Sequence, residues 1–220
     1  MTVLPVVAPV VTTFMEGKLT FLPILRNYLP WLAVFFVSGF VAYLSLIQPV
    51  VKLEPIAIQF LDILGRKIMD FGKRLKIQPR LNILLVGRRL RWLGLRRYLY
   101  SAWGLRMENQ PDVGACFAAS KGVAGEVFRT GRPRVVNIEE ASHEDWGFSK
   151  REARKFEGLT AIYCWPIYQV DHRGYQTGKI IGTVNFDSRQ PGACNIMVQE
   201  KERIGKLLEE FSEFASKIFS

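Results

Sequence analysis

Residues 158–188 read GLTAIYCWPIYQVDHRGYQTGKIIGTVNFDS, and this stretch decides the fold. In each half, apolar residues recur at every second position, so that they would share one face of a sheet. This pattern predicts β-strands over residues 160–168 and 179–188. The loop between them, DHRGYQTGK, has the glycine and polar content of a β-hairpin connection. The stretch therefore predicts an antiparallel pair of strands.

The same reading extends outward on both sides of this pair. Residues 80–89 and 96–103 predict two more strands, joined through Trp92-Leu93-Gly94. Residues 198–219 predict a final amphipathic helix. Its apolar face carries Ile204, Leu207, Leu208, Phe211, Phe214, Ala215 and Ile218. The predicted fold class is α+β, an antiparallel sheet with flanking helices.

Three separated motifs support a more specific prediction. KGVAGEVFRTGRPRVVNI (121–138) is followed by GLTAIYCWPIY (158–168) and then by GKIIGTVNFDS (178–188). Their content and order resemble those of the GAF domain, over about residues 61–220. Gly122, Gly125 and Gly131 fall where the backbone needs tight turns or positive φ, which is structural rather than catalytic chemistry.

The resemblance implies a small-molecule pocket on one face of the sheet, closed by loops and short helices that include residues 139–157. A largely aromatic pocket with a few polar groups suits a planar ligand. The alternative is that the aromatic side chains of the predicted strands simply fill a core. The predicted ligand-binding residues are Trp103, Phe117, Phe128, Trp146, Tyr163, Trp165, Thr183, Asn185 and Asp187.

Signatures of specialised GAF subfamilies are not recognised in the sequence. Free methionine sulfoxide reductases have a cysteine in the Gly-Val-Cys-Gly turn, where this chain has Ala124, so we predict that it is not an enzyme. Cys116 is the nearest candidate for attaching a linear tetrapyrrole and lacks the usual context. His143 and His172 form no metal-ligand pair. We predict no metal site and no catalytic residues, and the sequence does not identify a cofactor.

An apolar run precedes the domain. Residues 28–51 contain no Asp, Glu, Lys, Arg or His, and as a helix they would reach roughly 36 Å, enough for a hydrocarbon core of about 30 Å. Tyr28 and Trp31 stand at one end, where aromatic rings favour the interface. A secretory signal would have its basic residues before the apolar core. We therefore predict a single-pass protein of the inner membrane with a cytoplasmic C-terminal domain.

Positive charge is concentrated directly after this run. Residues 52–106 carry thirteen basic and three acidic side chains. Their net charge of +10 therefore equals the formal charge of the whole chain. Such a band fits the cytoplasmic flank of a membrane span and attraction to anionic lipid headgroups. Nucleic-acid binding would use the same charge, but the position favours the membrane, so we predict no nucleic-acid partner.

The segment after the span predicts an amphipathic helix. Its apolar seam comprises Ala57, Leu61, Leu64, Ile68, Phe71 and Leu75. This seam fits a short dimeric coiled coil, a helix packed on its own domain, or one lying on headgroups. The predicted organisation is an extracytoplasmic arm (1–27), a transmembrane helix (28–51), a juxtamembrane helix (52–78) and a GAF-like domain (79–220).

Two functions fit these features. The first is a membrane-anchored sensor that binds a small ligand and changes homodimer or partner geometry through its flanking helices. The second is a degenerate GAF domain that docks a protein partner at the membrane without a ligand. No output domain follows the last helix in this sequence, so either function requires a protein output partner.

Overall fold

The computed structural model describes residues 31, 34–39, 55–91, 94–108, 110, 112, 114–141 and 144–220. The chain divides into two compact units, residues 1–48 and 49–220. In the first unit, Trp31 and residues 34–39 are helical and their side chains are exposed. The remainder of the predicted span, and His143, lie outside the described residues.

The second unit is an α+β domain, as predicted. Its helices are α1 (Pro55–Arg74), α2 (Gly122–Thr130), α3 (Lys150–Ala153), α4 (Ala193–Gln199) and α5 (Lys201–Phe219), with a 3-10 turn over Arg154–Phe156. Its strands are β1 (Pro79–Arg91), β2 (Gly94–Leu105), β3 (Cys116–Ala118), β4 (Arg134–Asn137), β5 (Ala161–Val170) and β6 (Gln176–Ser188). The four strands predicted from sequence correspond to β1, β2, β5 and β6.

The strands form one antiparallel sheet in the order β3-β2-β1-β6-β5-β4. Since successive side chains of a strand point to opposite faces, the sheet separates two apolar clusters. One face packs against α1, α4 and α5, and its centre includes Leu81, Val184 and Phe186. The other face, with Leu84, Leu99 and Cys164, packs against α2. The second face carries the candidate site.

Helix α1 packs onto its own domain. Leu61 and Ile68 of the apolar seam are buried in the first cluster, and Leu64, Phe71 and Leu75 pack against it. Burial of Leu61 and Ile68 within the domain leaves them no surface for a coiled coil with another chain. Of the three alternatives for this seam, the structure therefore favours packing on the domain.

The C-terminal helical region is split. The helix predicted over residues 198–219 covers all of α5 and the last two residues of the separate helix α4. Glu200 between the two helices has φ −99° and ψ 17°, outside the helical range. Gly205 brings α5 close to β5, because a Cβ there would lie 2.7 Å from the hydroxyl oxygen of Tyr163. This close approach occupies the helix-facing side of β5.

Within the described residues, none of the helices combines the length and the apolar character required to cross a membrane. The transmembrane helix predicted over residues 28–51 falls mostly outside those residues, and only Trp31 and residues 34–39 of it are described. It stays a prediction.

Candidate functional site

A cavity of about 160 Å³ lies between the second sheet face, α2 and residues 139–141 and 144–157. Its wall is mainly apolar, with polar side chains grouped on β1, β2, β6 and at Asp112. The lining side chains include Asn82, Leu84, Ser101, Met107, Asp112, Phe117, Val123, Ala124, Ala141, Trp146, Phe148, Ala153, Phe156, Ile162, Asn185 and Asp187. A concave, mainly apolar space with few polar groups is the usual form of a small-molecule site.

The lid, which we define as residues 139–141 and 144–157, covers this cavity as expected from sequence. Three aromatic rings hold it to β3: Phe117 meets Phe148 and Phe156 edge to face, with ring centroids 5.5 and 5.8 Å apart. Phe148 and Phe156 also pack on each other at 5.0 Å. These contacts bury apolar side chains of an otherwise polar segment.

Helix α3 of the lid is stabilised by a capping box. The Ser149 hydroxyl accepts from the Glu152 backbone N–H, and the Glu152 carboxylate accepts from the Ser149 backbone N–H. Lys121, next to the start of α2, donates to the same carboxylate at 2.7 Å. The hydrogen bond from Lys121, followed by that from Ser149, lowers the pKa of Glu152 to about 2. One carboxylate thus joins the lid to α2.

Gly122 has a specific role beneath the lid. Its φ is +70°, and a Cβ would lie 2.8 Å from the ring of Phe148. A larger residue would therefore be strained and would also displace the lid ring. This is the structural role that the sequence predicts for this glycine.

A buried ion cluster forms the polar end of the cavity. Arg80 Nε donates to Asp187 Oδ1 at 2.5 Å, and the two terminal nitrogens of Arg80 donate to the Asp112 carboxylate at 3.1 and 3.0 Å. Arg189 Nη2 lies 3.7 Å from Asp112 Oδ1. Burial raises the pKa of Asp187 to about 6, while Arg80 opposes this shift.

Two amides continue from this cluster along the sheet. Asn82 Nδ2 donates to Asp187 Oδ2 at 3.2 Å, and Asn185 Nδ2 donates to Asn82 Oδ1 at 2.8 Å. Asn185 is 3% exposed and its Oδ1 has no hydrogen-bond partner among the described residues. The indole Nε1 of Trp146 is likewise buried without a partner in that part of the chain. Both residues line the cavity.

The structure brings four of the nine predicted site residues to the cavity: Phe117, Trp146, Asn185 and Asp187. Thr183 lies on the same sheet face but is buried between Leu84 and Pro166. Phe128 packs against the second apolar cluster and borders a surface recess instead. Binding by the four residues stays a prediction.

Three predicted site residues lie on the opposite face, which corrects their assignment to the pocket wall. Tyr163 and Trp165 pair with Phe186 and Val184, so they face the helices. Trp103 is moved there by a bulge between β1 and β2, and its indole N–H donates to Asp62 of α1. An extra residue in one strand reverses the face of every side chain beyond it.

Several residues of the cavity and of the ion cluster at its polar end were missed by the sequence analysis. Arg80 and Asn82 were assigned only to a strand, and Asp112 lies in a connection with no recognised motif. The one available signal was a charged and an amide residue two apart in the mainly apolar first half of a strand, since buried polar side chains require partners. Phe148 and Phe156 gave a weaker signal as the aromatic residues of a polar lid.

The described residues hold no group of three His, Cys, Asp or Glu side chains suited to a metal ion. His172 is exposed in the β5–β6 turn. Among the lining residues in the described part of the chain there is no cysteine, and Cys164 is buried below the cavity floor. Burial raises the pKa of the Cys164 thiol.

No protein-family model and no curated protein matches the sequence. Among solved structures, the chain is similar to the GAF domain of A. aeolicus nlh2, at 15% identity and TM-score 0.44 over 81% of this chain and 96% of that one. It is similar to the type II free methionine-R-sulfoxide reductase of Thermoplasma acidophilum, at 10% identity and TM-score 0.49 over 74% and 97%. A third similar structure is the GAF domain region of a putative membrane protein from Geobacter sulfurreducens, at 15% identity and TM-score 0.39 over 70% of this chain and 96% of that one. The similar structures thus include GAF domains and an enzyme.

Proposed function

We propose that this chain is a membrane-anchored sensor whose GAF-like domain binds a small molecule in the cavity under the lid. The observation that carries the proposal is the cavity itself, because it is lined by Asn185, whose buried Oδ1 has no hydrogen-bond partner among the described residues. An unpaired buried polar atom costs about 1–3 kcal/mol, and a bound ligand removes that cost.

The lid is the element through which binding would act. It contributes Ala141, Trp146, Phe148, Ala153 and Phe156 to the wall, so a ligand contacts it directly. Below the cavity, β6 presents Asn185 and Asp187 to the ligand, while its alternate residues Val184 and Phe186 pack in the helix-side cluster. A change at the cavity floor would therefore reach α1 and α5, and through them a homodimer contact or an output partner.

Membrane anchoring rests on the sequence. The apolar run over residues 28–51 and the basic band over residues 52–106 support it. Arg96 and Arg97 of this band border a surface recess, to which Arg129 and Lys179 add further positive charge. Such a surface favours anionic headgroups by about 1 kcal/mol per basic residue close to the membrane.

Cavity binding is tested by filling the space. Ala153→Leu adds three carbons to the wall from the lid, whereas Lys155→Leu places the same side chain at an exposed position of the neighbouring turn. Intact protein purified in detergent from its native host is analysed by native mass spectrometry for a retained small molecule. We expect wild type and Lys155→Leu to retain it and Ala153→Leu to lose it. Absence of any retained molecule in all three would contradict the proposal.

Docking of a protein partner is the second candidate, and one observation favours it. Ile56, Phe60 and Ile63 form an exposed apolar stripe along α1, with exposures of 63, 51 and 55%. Partner capture by the intact chain is compared between a stripe variant, Phe60→Ser with Ile63→Ser, and Ala153→Leu. Loss of capture only in the stripe variant, together with an empty cavity in wild type, supports docking over sensing.

The prediction that the chain is not an enzyme is carried into this proposal. Ala124 lines the cavity at the position where the resemblance would require a reactive cysteine. Loss of free methionine sulfoxide in an assay with the purified chain and a thiol reductant would contradict it.

A further inference from the structure

We infer that the ligand is an uncharged, single-ring molecule that donates a hydrogen bond to Asn185. This rests on the proposed function and specifies the chemistry of the same cavity. Three independent features of the wall lead to this inference. They are the direction of the hydrogen-bonded chain Asp187–Asn82–Asn185, which we call the amide chain, the charge balance of the polar end and the size of the aromatic space.

The amide chain determines that the free group is an acceptor. A carboxylate only accepts hydrogen bonds, so the amide nitrogen of Asn82 must face Asp187. The oxygen of Asn82 then faces Asn185 and accepts from its amide nitrogen. Asn185 is left with its oxygen free, and a ligand that satisfies this atom must donate.

The ion cluster disfavours a charged ligand. Two carboxylates, Asp112 and Asp187, are matched by the guanidinium groups of Arg80 and Arg189, so the polar end has no net charge. Among the lining residues of the described chain there is no Lys, Arg or His. An anion would meet two carboxylates without a cationic side chain among the described lining residues, and a cation would lose its hydration without an unpaired carboxylate.

The apolar part of the cavity fits one ring. Its volume of about 160 Å³ is close to that of cavities of about 150 Å³ that take up benzene. Phe117, Phe148 and Phe156 line this space, which favours an aromatic occupant. The buried indole N–H of Trp146 favours a ligand whose donor group also accepts, such as a hydroxyl.

The test compares four one-ring probes on the intact chain in detergent, by titration calorimetry at pH 7.5. Phenol is neutral and donates, anisole is neutral and cannot donate, benzoate is an anion and benzylamine is a cation. We expect phenol to bind about tenfold or more tightly than each of the others, the effect of one buried hydrogen bond. In Asn185→Leu, phenol and anisole should bind equally.

The phenol–anisole comparison in wild type needs no variant, so it stands even where Asn185→Leu does not fold. Equal or tighter binding of anisole, benzoate or benzylamine would overturn the inference. If no probe binds but Ala153→Leu loses a retained molecule, the ligand class is wrong and the sensor proposal survives. If no probe binds and wild type retains nothing, both fail.

Discussion

Gly182 lies in β6 at a point where two backbones meet. A Cβ on this residue would lie 2.3 Å from the carbonyl oxygen of Leu84 and 2.9 Å from the side chain of Leu85. The carbonyl is held in the β1–β6 ladder, so it cannot move without loss of strand pairing. The position therefore requires glycine for close approach rather than for its backbone angles.

Gly182→Ala should reduce the free energy of unfolding by about 2–3 kcal/mol, as overpacking of a rigid site does. Gly104→Ala is the matched control, because its added methyl would meet the flexible side chain of Met107 at 2.7 Å. Denaturant unfolding of both variants measures the difference. Equal destabilisation by the two variants would show that the contact with the Leu84 carbonyl does not make Gly182→Ala more destabilising.

Asp187 sets the direction of the amide chain through its protonation state. Burial raises its pKa to about 6, against Arg80 and Arg189, while Asp112 adds to the upward shift. Above this pH the carboxylate accepts from Asn82. Below it, the carboxylic acid donates, the two amides reverse, and Asn185 presents its nitrogen to the cavity.

The preference for phenol over anisole should therefore fall as the pH is lowered through about 6. Phenol itself stays neutral across this range. In Asp187→Asn, whose amide does not titrate, the ratio of the two affinities should be constant from pH 5 to 7.5. A wild-type ratio that is also constant would contradict the role given to Asp187.

The raised pKa of Asp187 also makes the free energy of unfolding depend on pH. Because the pKa of Asp187 is higher in the folded than in the unfolded chain, its contribution to the free energy of unfolding is largest below about pH 4 and decreases as pH rises from about 4 to about 6. Asp187→Asn should remove this part of the pH dependence.

At the scale of elements, the lid depends on the carboxylate of Glu152. Its pKa is lowered to about 2 by the hydrogen bond from Lys121 and then by that from Ser149. A lowered pKa stabilises the folded lid above about pH 4.5, and the stabilisation is lost as pH falls toward about 2. The carboxylate is one-third exposed, so the effect is under about 1 kcal/mol.

Glu152→Gln should speed hydrogen exchange of lid amides at pH 7, because it removes the charge that holds Lys121. The difference from wild type should shrink as the pH is lowered from 5 to 3. Glu157→Gln, at an exposed position just after the 3-10 turn, is the control and should leave exchange unchanged. A difference that is the same at both pH values would rule out the ionised carboxylate as its cause.

Helix α1 offers a second test at this scale. Leu61 is fully buried in its own domain, whereas Ile63 is 55% exposed. Leu61→Ala should lower the free energy of unfolding by about 2–5 kcal/mol, and Ile63→Ala by less than about 1 kcal/mol. The loss at Leu61 should not depend on protein concentration, whereas a coiled-coil seam between chains would make it do so.

At the scale of the whole molecule, the anchored arrangement predicts a cell-fractionation result. The intact chain should sediment with membranes and stay there after alkaline carbonate washing, because hydrocarbon solvates residues 28–51. A chain lacking residues 28–51 should move to the aqueous fraction. Recovery of the intact chain in that fraction without detergent would contradict the anchor.

Local patterns were sufficient for much of the fold. Side-chain alternation predicted four of the six strands in the described part of the chain, and the lid lies where the resemblance placed it. Side-chain alternation could not show on which face of the sheet the aromatic residues assigned to the site would lie. Alternation within one strand does not say how that strand is registered against its neighbour, and a shift of one residue exchanges the two faces.

What the sequence alone determined is most of the long helices and strands, because hydrophobic periodicity and glycine positions are local properties. What only the tertiary structure decided is the site. Tyr163 and Trp165 turn away from the cavity through the β5–β6 register, and Trp103 through a single bulge. Asn82 and Asn185, 103 residues apart, meet because β1 and β6 are paired, and hydrogen-bond partners across strands follow from that pairing alone.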